Sequence, residues 1–208
     1  MTFGPEDFRQ KIDVSRETLD RLRHYVRLLL DWNDRLNLIG ASTIPDLWRR
    51  HIWDSAQVLD LVPGWRNASP PLRWLDIGSG AGLPGLVVAL MGGGEVHLVE
   101  KSPKKCLFLR TVIQETQASA QVHEGRIEEL KLPPIDVITS RACAPLPKLL
   151  TLAQPFFGPN TIAALHKGQN VEEELTAATK SWKMQVEIFP SATDPRGRLL
   201  RVKGVRRA

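Results

Sequence analysis

Four glycines crowd the stretch "WLDIGSGAGLPGLVVAL": Gly78, Gly80, Gly82 and Gly85 separate one apolar run from another. Backbone freedom is costly to fold, so glycines gather where the chain turns sharply and something lies against bare main chain. Glu100 ends "EVHLVE", 20 residues beyond Gly80, at the distance where an acid meets ribose hydroxyls. The chemistry implied is capture of a nucleotide-type cofactor. A dinucleotide loop reads G-x-G-x-x-G directly after its strand. "GAGLPG" matches that pattern but begins two residues late. Counted from Gly78 the pattern is G-x-G-x-G, with Leu83 at the position of close helix–strand packing. This register disfavours a dinucleotide. Glu100 can accept from both hydroxyls of an adenosine ribose, with no phosphate needed; a solvent-facing strand-end acid is the plain alternative.

Other side chains extend the candidate site. In "GRIEEL", Ile127 and Glu128 could sandwich an adenine and bond its amino group. Arg141 ends "DVITSR", and its planar fork suits a carboxylate or a guanine edge, or else a structural salt bridge. Lys167 ends the next strand pattern, Arg126 precedes the adenine loop, and Arg198 opens a basic stretch; all three are candidates for phosphate. His51 and Asp54 stand three apart on one helix face, facing the site or forming a solvated ion pair. Trp48 and Trp53 could stack on a flipped base, although packing of an amphipathic helix is their more ordinary use. No general acid or base is assigned; Arg141 and Lys167 are positioning candidates. Cys106 and Cys143 form no CxxC pair, and the five histidines show no metal-ligand spacing, so no metal site is expected.

These residues need elements to hold them. Behind Ser15, apolar residues from Leu19 to Leu36 recur at helical spacing over residues 15–39. A second helix is expected after Thr43, with Asp46 completing a capping pattern, running through "LWRRHIWDSAQVLDL". "VPGWRNASPPL" reads as a linker. Residues 1–65 are thus a helical cap before a main domain of residues 72–208. From Arg73 strands and helices alternate, implying a parallel sheet covered on both faces, closed by an antiparallel pair around "PSATDPRG". Ligands of such sheets sit beyond the strands' carboxyl ends, which makes Asp76, Glu100, Glu124, Ser140 and Lys167 site candidates.

No apolar run approaches a membrane span, and the cysteine usage suits a reducing compartment, so a cytoplasmic protein is expected. Net charge is +5, and "RGRLLRVKGVRRA" at the C-terminus contains no acid. Such a cluster is either a polyanion-binding surface or a solvated tail.

Taken in order, "NLIG", "RHIWDS", "LDIGSGAGLPG", "VEKSPKKCLFLR", "GRIEEL", "SRA" and "HKG" resemble the family of glucose-inhibited division protein B, the bacterial small-subunit rRNA (guanine-N(7))-methyltransferases. The resemblance runs from about Leu19 to Val202. It implies a class I methyltransferase fold, a Rossmann-like α/β sheet that is mostly parallel with an antiparallel last strand. It implies S-adenosylmethionine as donor and a guanine of 16S rRNA, free or in the small ribosomal subunit, as acceptor; a monomer is expected. The cofactor contacts it implies are Gly78, Gly80, Leu83, Ile127, Glu128 and Arg141, with Glu100 at the ribose. Absences agree: the [D/N/S]-P-P-[Y/F/W] stretch of exocyclic-amine methylation is replaced by "SRACAP", and Cys143 lacks the Pro-Cys setting of a pyrimidine-attacking nucleophile. Two other classes stay open, a NAD-binding oxidoreductase and a catalytically inert RNA-binding module.

Overall fold

A computed structural model describes residues 2–208. Seven strands form one sheet: β1 (Arg73–Ile77), β2 (Glu95–Glu100), β3 (Ala120–Glu124), β4 (Val137–Ser140), β5 (Ile162–Lys167), β6 (Trp182–Pro190) and β7 (Arg198–Arg207). Their order is β3-β2-β1-β4-β5-β7-β6. The first five run parallel, β7 is antiparallel to β5, and β6 is antiparallel to β7. The chain moves outward from β1 through β2 to β3, then returns to β1's other side as β4. That reversal is the switch point where open α/β sheets leave a crevice.

Alternation along the strands sends side chains to two cores. Trp74, Val96 and Leu98 face one layer; Leu75, Ile77, Val99 and Ile138 face the other. The first layer holds α4 (Gly85–Leu90) and α5 (Pro103–Thr116), and the second α6 (Leu146–Ala153) and α7 (Val171–Thr179). The N-terminal helices α1 (Pro5–Lys11) and α2 (Arg16–Leu36) share the first core, which runs unbroken from Phe8 through Leu22 to Phe108. Ser15 caps α2, its hydroxyl accepting from Thr18 N–H at 3.0 Å, and Asn37 closes it in the left-handed region. The buried stripe is Leu19, Leu22, Tyr25, Val26 and Leu29, whereas Leu30 lies on the exposed side.

The expected single helix after Thr43 is instead a chain of short turns. A 3₁₀ segment (Ala41–Asp46) leads into a π turn (Trp48–Trp53), then α3 (Asp54–Ala56), then another 3₁₀ segment (Gln57–Leu61). Pro45 within the first segment has no N–H to give an α-helical ladder. Thr43 caps nothing: its hydroxyl donates to Gly40 O at 2.7 Å. The basic C-terminal stretch is mostly β7. Arg201 pairs with Glu187, and the Arg207 guanidinium lies 4.1 Å from the Trp182 ring centroid.

One buried bond joins the N-terminal helices to the glycine loop: Tyr25 Oη donates to Ala81 O at 2.7 Å. Tyr25→Phe strands that carbonyl without water, so urea unfolding should show a loss of about 1–3 kcal/mol.

Candidate functional site

The glycine loop leaves β1 at Ile77 with Gly78, Gly80 and Gly82 all at positive φ, 73°, 55° and 86°. Gly78 and Ser79 N–H both donate to Val99 O at 3.0 Å, which folds the loop against the end of β2. A Cβ at Gly78 would strike Cys143 Sγ at 2.6 Å, whereas one at Gly80 would meet nothing nearer than Gly78 O at 3.8 Å. Gly80 therefore presents bare main chain to open space. Close helix–strand packing falls on Gly85, whose Cβ would meet Leu98 at 2.4 Å, and not at Leu83. Leu83 is buried in the first core. Packing in the loop thus does not separate the two cofactor classes, because the glycine that meets the strand stands two residues beyond Leu83.

Glu100 is buried rather than solvent-facing. Its Oε2 accepts from Gly80 N–H at 3.0 Å and its Oε1 from Ser102 N–H at 2.8 Å. The carboxylate thereby fixes the loop, and each oxygen keeps a lone pair for a further donor. Gly125 N–H donates to Glu100 O at 3.0 Å, setting the β3 exit beside it. There Ile127 is buried and Glu128 is exposed, paired with the exposed Arg126 at 2.9 Å. The loops after β1, β2, β3 and β4 thus lie side by side.

Other strand-end candidates are structural. Asp76 is wholly buried; Thr139 Oγ1 donates to it at 2.8 Å, and burial raises its pKa to about 6. Ser140 donates to Ile77 O at 2.9 Å, and Glu124 pairs with Arg110 at 3.0 Å.

A cleft of about 890 Å³ opens over the ends of β4 and β5, walled by the π turn and by the β6–β7 turn. It adjoins the glycine loop at Ala142–Cys143. Arg141, at that junction, turns towards the N-terminal wall. Its Nη1 donates to Asp54 Oδ2 at 3.2 Å and Arg50 O at 3.3 Å, and its Nη2 donates to His51 Nδ1 at 3.1 Å. A guanidinium has no acceptor, so His51 Nδ1 carries the lone pair and Nε2 the proton, given to Thr43 Oγ1 at 2.7 Å. Asp54 also accepts from Thr193 Oγ1 at 2.6 Å and from Gln57 at 3.3 Å. Burial pushes its pKa up, but His166, the Thr193 bond and Arg141 outweigh it, leaving the carboxyl below its ordinary value. His166 donates Nε2–H to Asp54 O at 2.8 Å, and burial lowers its pKa.

Lys167, a candidate for phosphate, is committed inside the protein. Its ammonium donates to Glu174 at 2.8 Å and to Ala144 O at 2.9 Å, with its side chain only 7% exposed. Glu174 also accepts from Leu146 N–H at 2.6 Å, so the pair pins the loop that carries Arg141. Trp53 stacks on Phe3 with ring centroids at 5.0 Å, and Trp48 lies 5.9 Å from Phe8, so both are spent on packing. Cys143 is exposed, but desolvation raises its thiol pKa, which disfavours the thiolate. Of the basic candidates, Arg198 and Arg196 of the C-terminal basic stretch line the cleft mouth, and one residue not anticipated, Arg50, joins them. Thr43, Gln57, Glu174 and Thr193 were also missed; they are ordinary polar residues until the fold brings them together.

The sheet order β3-β2-β1-β4-β5-β7-β6 with β7 antiparallel, together with a glycine loop at the switch point and a strand-end acid beside it, is that of the class I methyltransferase fold. Solved structures agree in architecture. An O-methyltransferase from Bacillus cereus, in complex with SAH, aligns at TM-score 0.58 with 15% identity over 98% of both chains. A ribosomal protein L11 methylase from Lactobacillus delbrueckii subsp. bulgaricus aligns at 0.57 with 12% identity, over 72% of this chain and 76% of that one. The family described as GidB, rRNA small subunit methyltransferase G, matches residues 18–199, and the chain belongs to it. Relatives named ribosomal RNA small subunit methyltransferase G include one from Rhodospirillum centenum, 47% identical over 98% of this chain and 92% of its own. Another, from Parvibaculum lavamentivorans, is 45% identical over 96% and 89%. Membership makes the chain an rRNA methyltransferase with S-adenosylmethionine as methyl donor. Among the described residues, no helix is long and apolar enough to cross a membrane.

His51 gives this site a pH signature. Burial, then Arg141, lower its pKa from 6.5 to about 4, against the pull of Asp54 and with a further push from Arg50. The unfolded chain holds that proton where the folded one does not, so stability falls as pH drops through this window. His51→Asn keeps a neutral acceptor and removes the titration. Between pH 7 and 4.5 it should lose on the order of 2 kcal/mol less than the parent in urea melts; equal losses would refute the assignment.

Proposed function

We propose that this protein transfers the methyl group of S-adenosylmethionine to N(7) of a guanine in 16S rRNA, acting as a cytoplasmic monomer. The observation carrying the reading is the cradle at Gly80: open main chain on one side, and Glu100 bonded to its N–H on the other. The residues fit the donor. Gly78 and Gly80 give its methionine portion close approach, and Glu100 has lone pairs for two ribose hydroxyls. Ile127 and Glu128 stand at the adenine position, Leu83 shapes the loop from within the core, and Arg141 supplies positive charge near the donor's carboxylate. When bound, the donor supplies a sulfonium-activated methyl group.

The acceptor chemistry suits the cleft. Guanine N(7) carries an in-plane lone pair and no proton, so no general base is needed. Of the carboxylates lining the cleft, Asp54 on the wall and Glu174 on the floor are already engaged by Arg141 and Lys167. The protein's contribution is alignment of nitrogen, methyl carbon and sulfur, which is worth roughly 7–11 kcal/mol when well made. The N-terminal cap of residues 1–65 supplies one wall and the methyltransferase domain of residues 72–208 the floor.

Phosphates would lie on the mouth. Arg50 is held to Asp194 only at 3.8 Å, and Arg196 reaches Asp194 at 3.6 Å with its side chain 71% exposed. Arg198 donates to Pro195 O and Gly197 O and has no carboxylate partner among the described residues. Arg126 is a more distant, exposed candidate on the donor side. Such contacts position RNA without reading its sequence.

Isotope transfer from S-adenosylmethionine to 16S rRNA and to 30S particles, followed by nucleoside analysis, tests the reaction. Label is expected on N(7)-methylguanosine; label elsewhere, or none with donor bound, would overturn the proposal. Gly80→Asn, which tolerates positive φ, should stay folded and lose donor binding by calorimetry, while NAD should bind neither form. Arg196→Ala and Arg198→Ala should each reduce the salt slope of RNA binding by about 1 and leave donor affinity unchanged.

A further inference from the structure

Arg141 has five N–H donors, and the N-terminal wall occupies three of them. Both Nη1 hydrogens go to Asp54 Oδ2 and Arg50 O, and one Nη2 hydrogen goes to His51 Nδ1. What remains is Nε–H and the second Nη2–H, which form the side-on edge of the guanidinium. Among the described residues Nε makes no hydrogen bond, and it is not one of the side-chain nitrogens sealed from solvent. Two parallel donors on one edge match a carboxylate, and they also match guanine O6 and N7. Chemistry separates the two. A donor bonded to N(7) would engage the lone pair that must attack the methyl group, so an arginine fork on that edge opposes the reaction. The free edge therefore suits the carboxylate of the methyl donor.

We propose that His51 and Asp54 are positioning residues: they grip one edge of Arg141 so that its other edge is presented as a fixed fork to the carboxylate of S-adenosylmethionine. This rests on the methyltransferase reading above and deepens it. Asp54 is itself held from the far wall by Thr193 Oγ1 at 2.6 Å and from below by His166 at its carbonyl. His51 is held through Thr43, whose hydroxyl donates on to Gly40 O. Nothing in the grip needs a ligand to form, so the fork is preorganised, and less ordering is lost when a carboxylate arrives. The grip also accounts for the spacing of "RHIWDS": the wide π turn of Trp48–Trp53 brings the Arg50 carbonyl, the His51 ring and the Asp54 carboxylate onto one cation.

Two ligands separate positioning from mere structural support. S-adenosylmethionine carries the carboxylate, and 5′-deoxy-5′-methylthioadenosine has the same nucleoside without the amino-acid part. Calorimetry should show that His51→Phe weakens S-adenosylmethionine by about tenfold and Asp54→Asn by about fivefold. Both should leave methylthioadenosine within twofold of the parent, and His51→Asn, which restores an acceptor near Nδ1, should recover most of the loss. Equal weakening of both ligands, or no weakening of either, would overturn the proposal. Should His51→Phe fail to fold, the ratio of the two affinities in Asp54→Asn decides alone. A parent protein that binds both ligands but methylates no RNA would sink the substrate reading, while the affinity ratios would still judge the fork.

Discussion

A guanidinium removed from most of its water needs partners, and Arg141 has found all of its own on one short segment. Breaking such a pair by deleting one partner leaves a charge uncompensated, which is far costlier than the net value of the pair. That asymmetry shapes the cleft. The loop carrying Arg141 is pinned from behind by Lys167 and Glu174, and the segment receiving it is pinned by Thr193 on the closing hairpin. Three regions remote in sequence therefore meet around one cation, and Arg141 marks the seam between the glycine-loop half of the sheet edge and the basic-mouthed half.

Glu100 plays the matching part on the donor side. Its two oxygens are each bonded to main chain, so the loop geometry persists without a ligand. Tyr25 adds a bond to the same loop from α2. The N-terminal helices consequently share both a hydrophobic core with the sheet and a polar tie to the site, and a disturbance in α2 has a direct route to the glycine loop.

Much of this was legible in the chain. The change at Arg73 from a helical apolar stripe to short continuous apolar runs reflects burial on one face and then on two, and it placed the sheet. Glycines that must take positive φ are visible as letters, and so is an acid one strand further on. The segment after Thr43 was misread because its apolar spacing is helical, whereas Pro45 and the tertiary grip on Arg141 impose 3₁₀ and π turns; π turns of this kind often mark functional sites. Lys167 looked available because a strand-end lysine usually is, yet Glu174 reaches it across the top of α7. Leu83 carried a packing argument that belongs to Gly85. Contacts such as Thr193 with Asp54, 139 residues apart, leave no mark in local sequence.

The distribution of charge also bears on the chemistry. Asp54 and Glu174 in the cleft are paired, burial lowers the pKa of His51 and His166, and at the mouth the cations Arg50, Arg196 and Arg198 outnumber the acid Asp194. A surface built this way attracts a polyanion; His51 Nδ1 is taken by Arg141 and the unpartnered His166 Nδ1 is sealed from solvent, so among the described residues neither cleft histidine presents an accessible base. Reactions that must strip a proton from the acceptor would be poorly served. Attack by a ring nitrogen that already bears an exposed lone pair needs only to be aimed, and rigid salt bridges around Arg141 and Lys167 are a means of aiming.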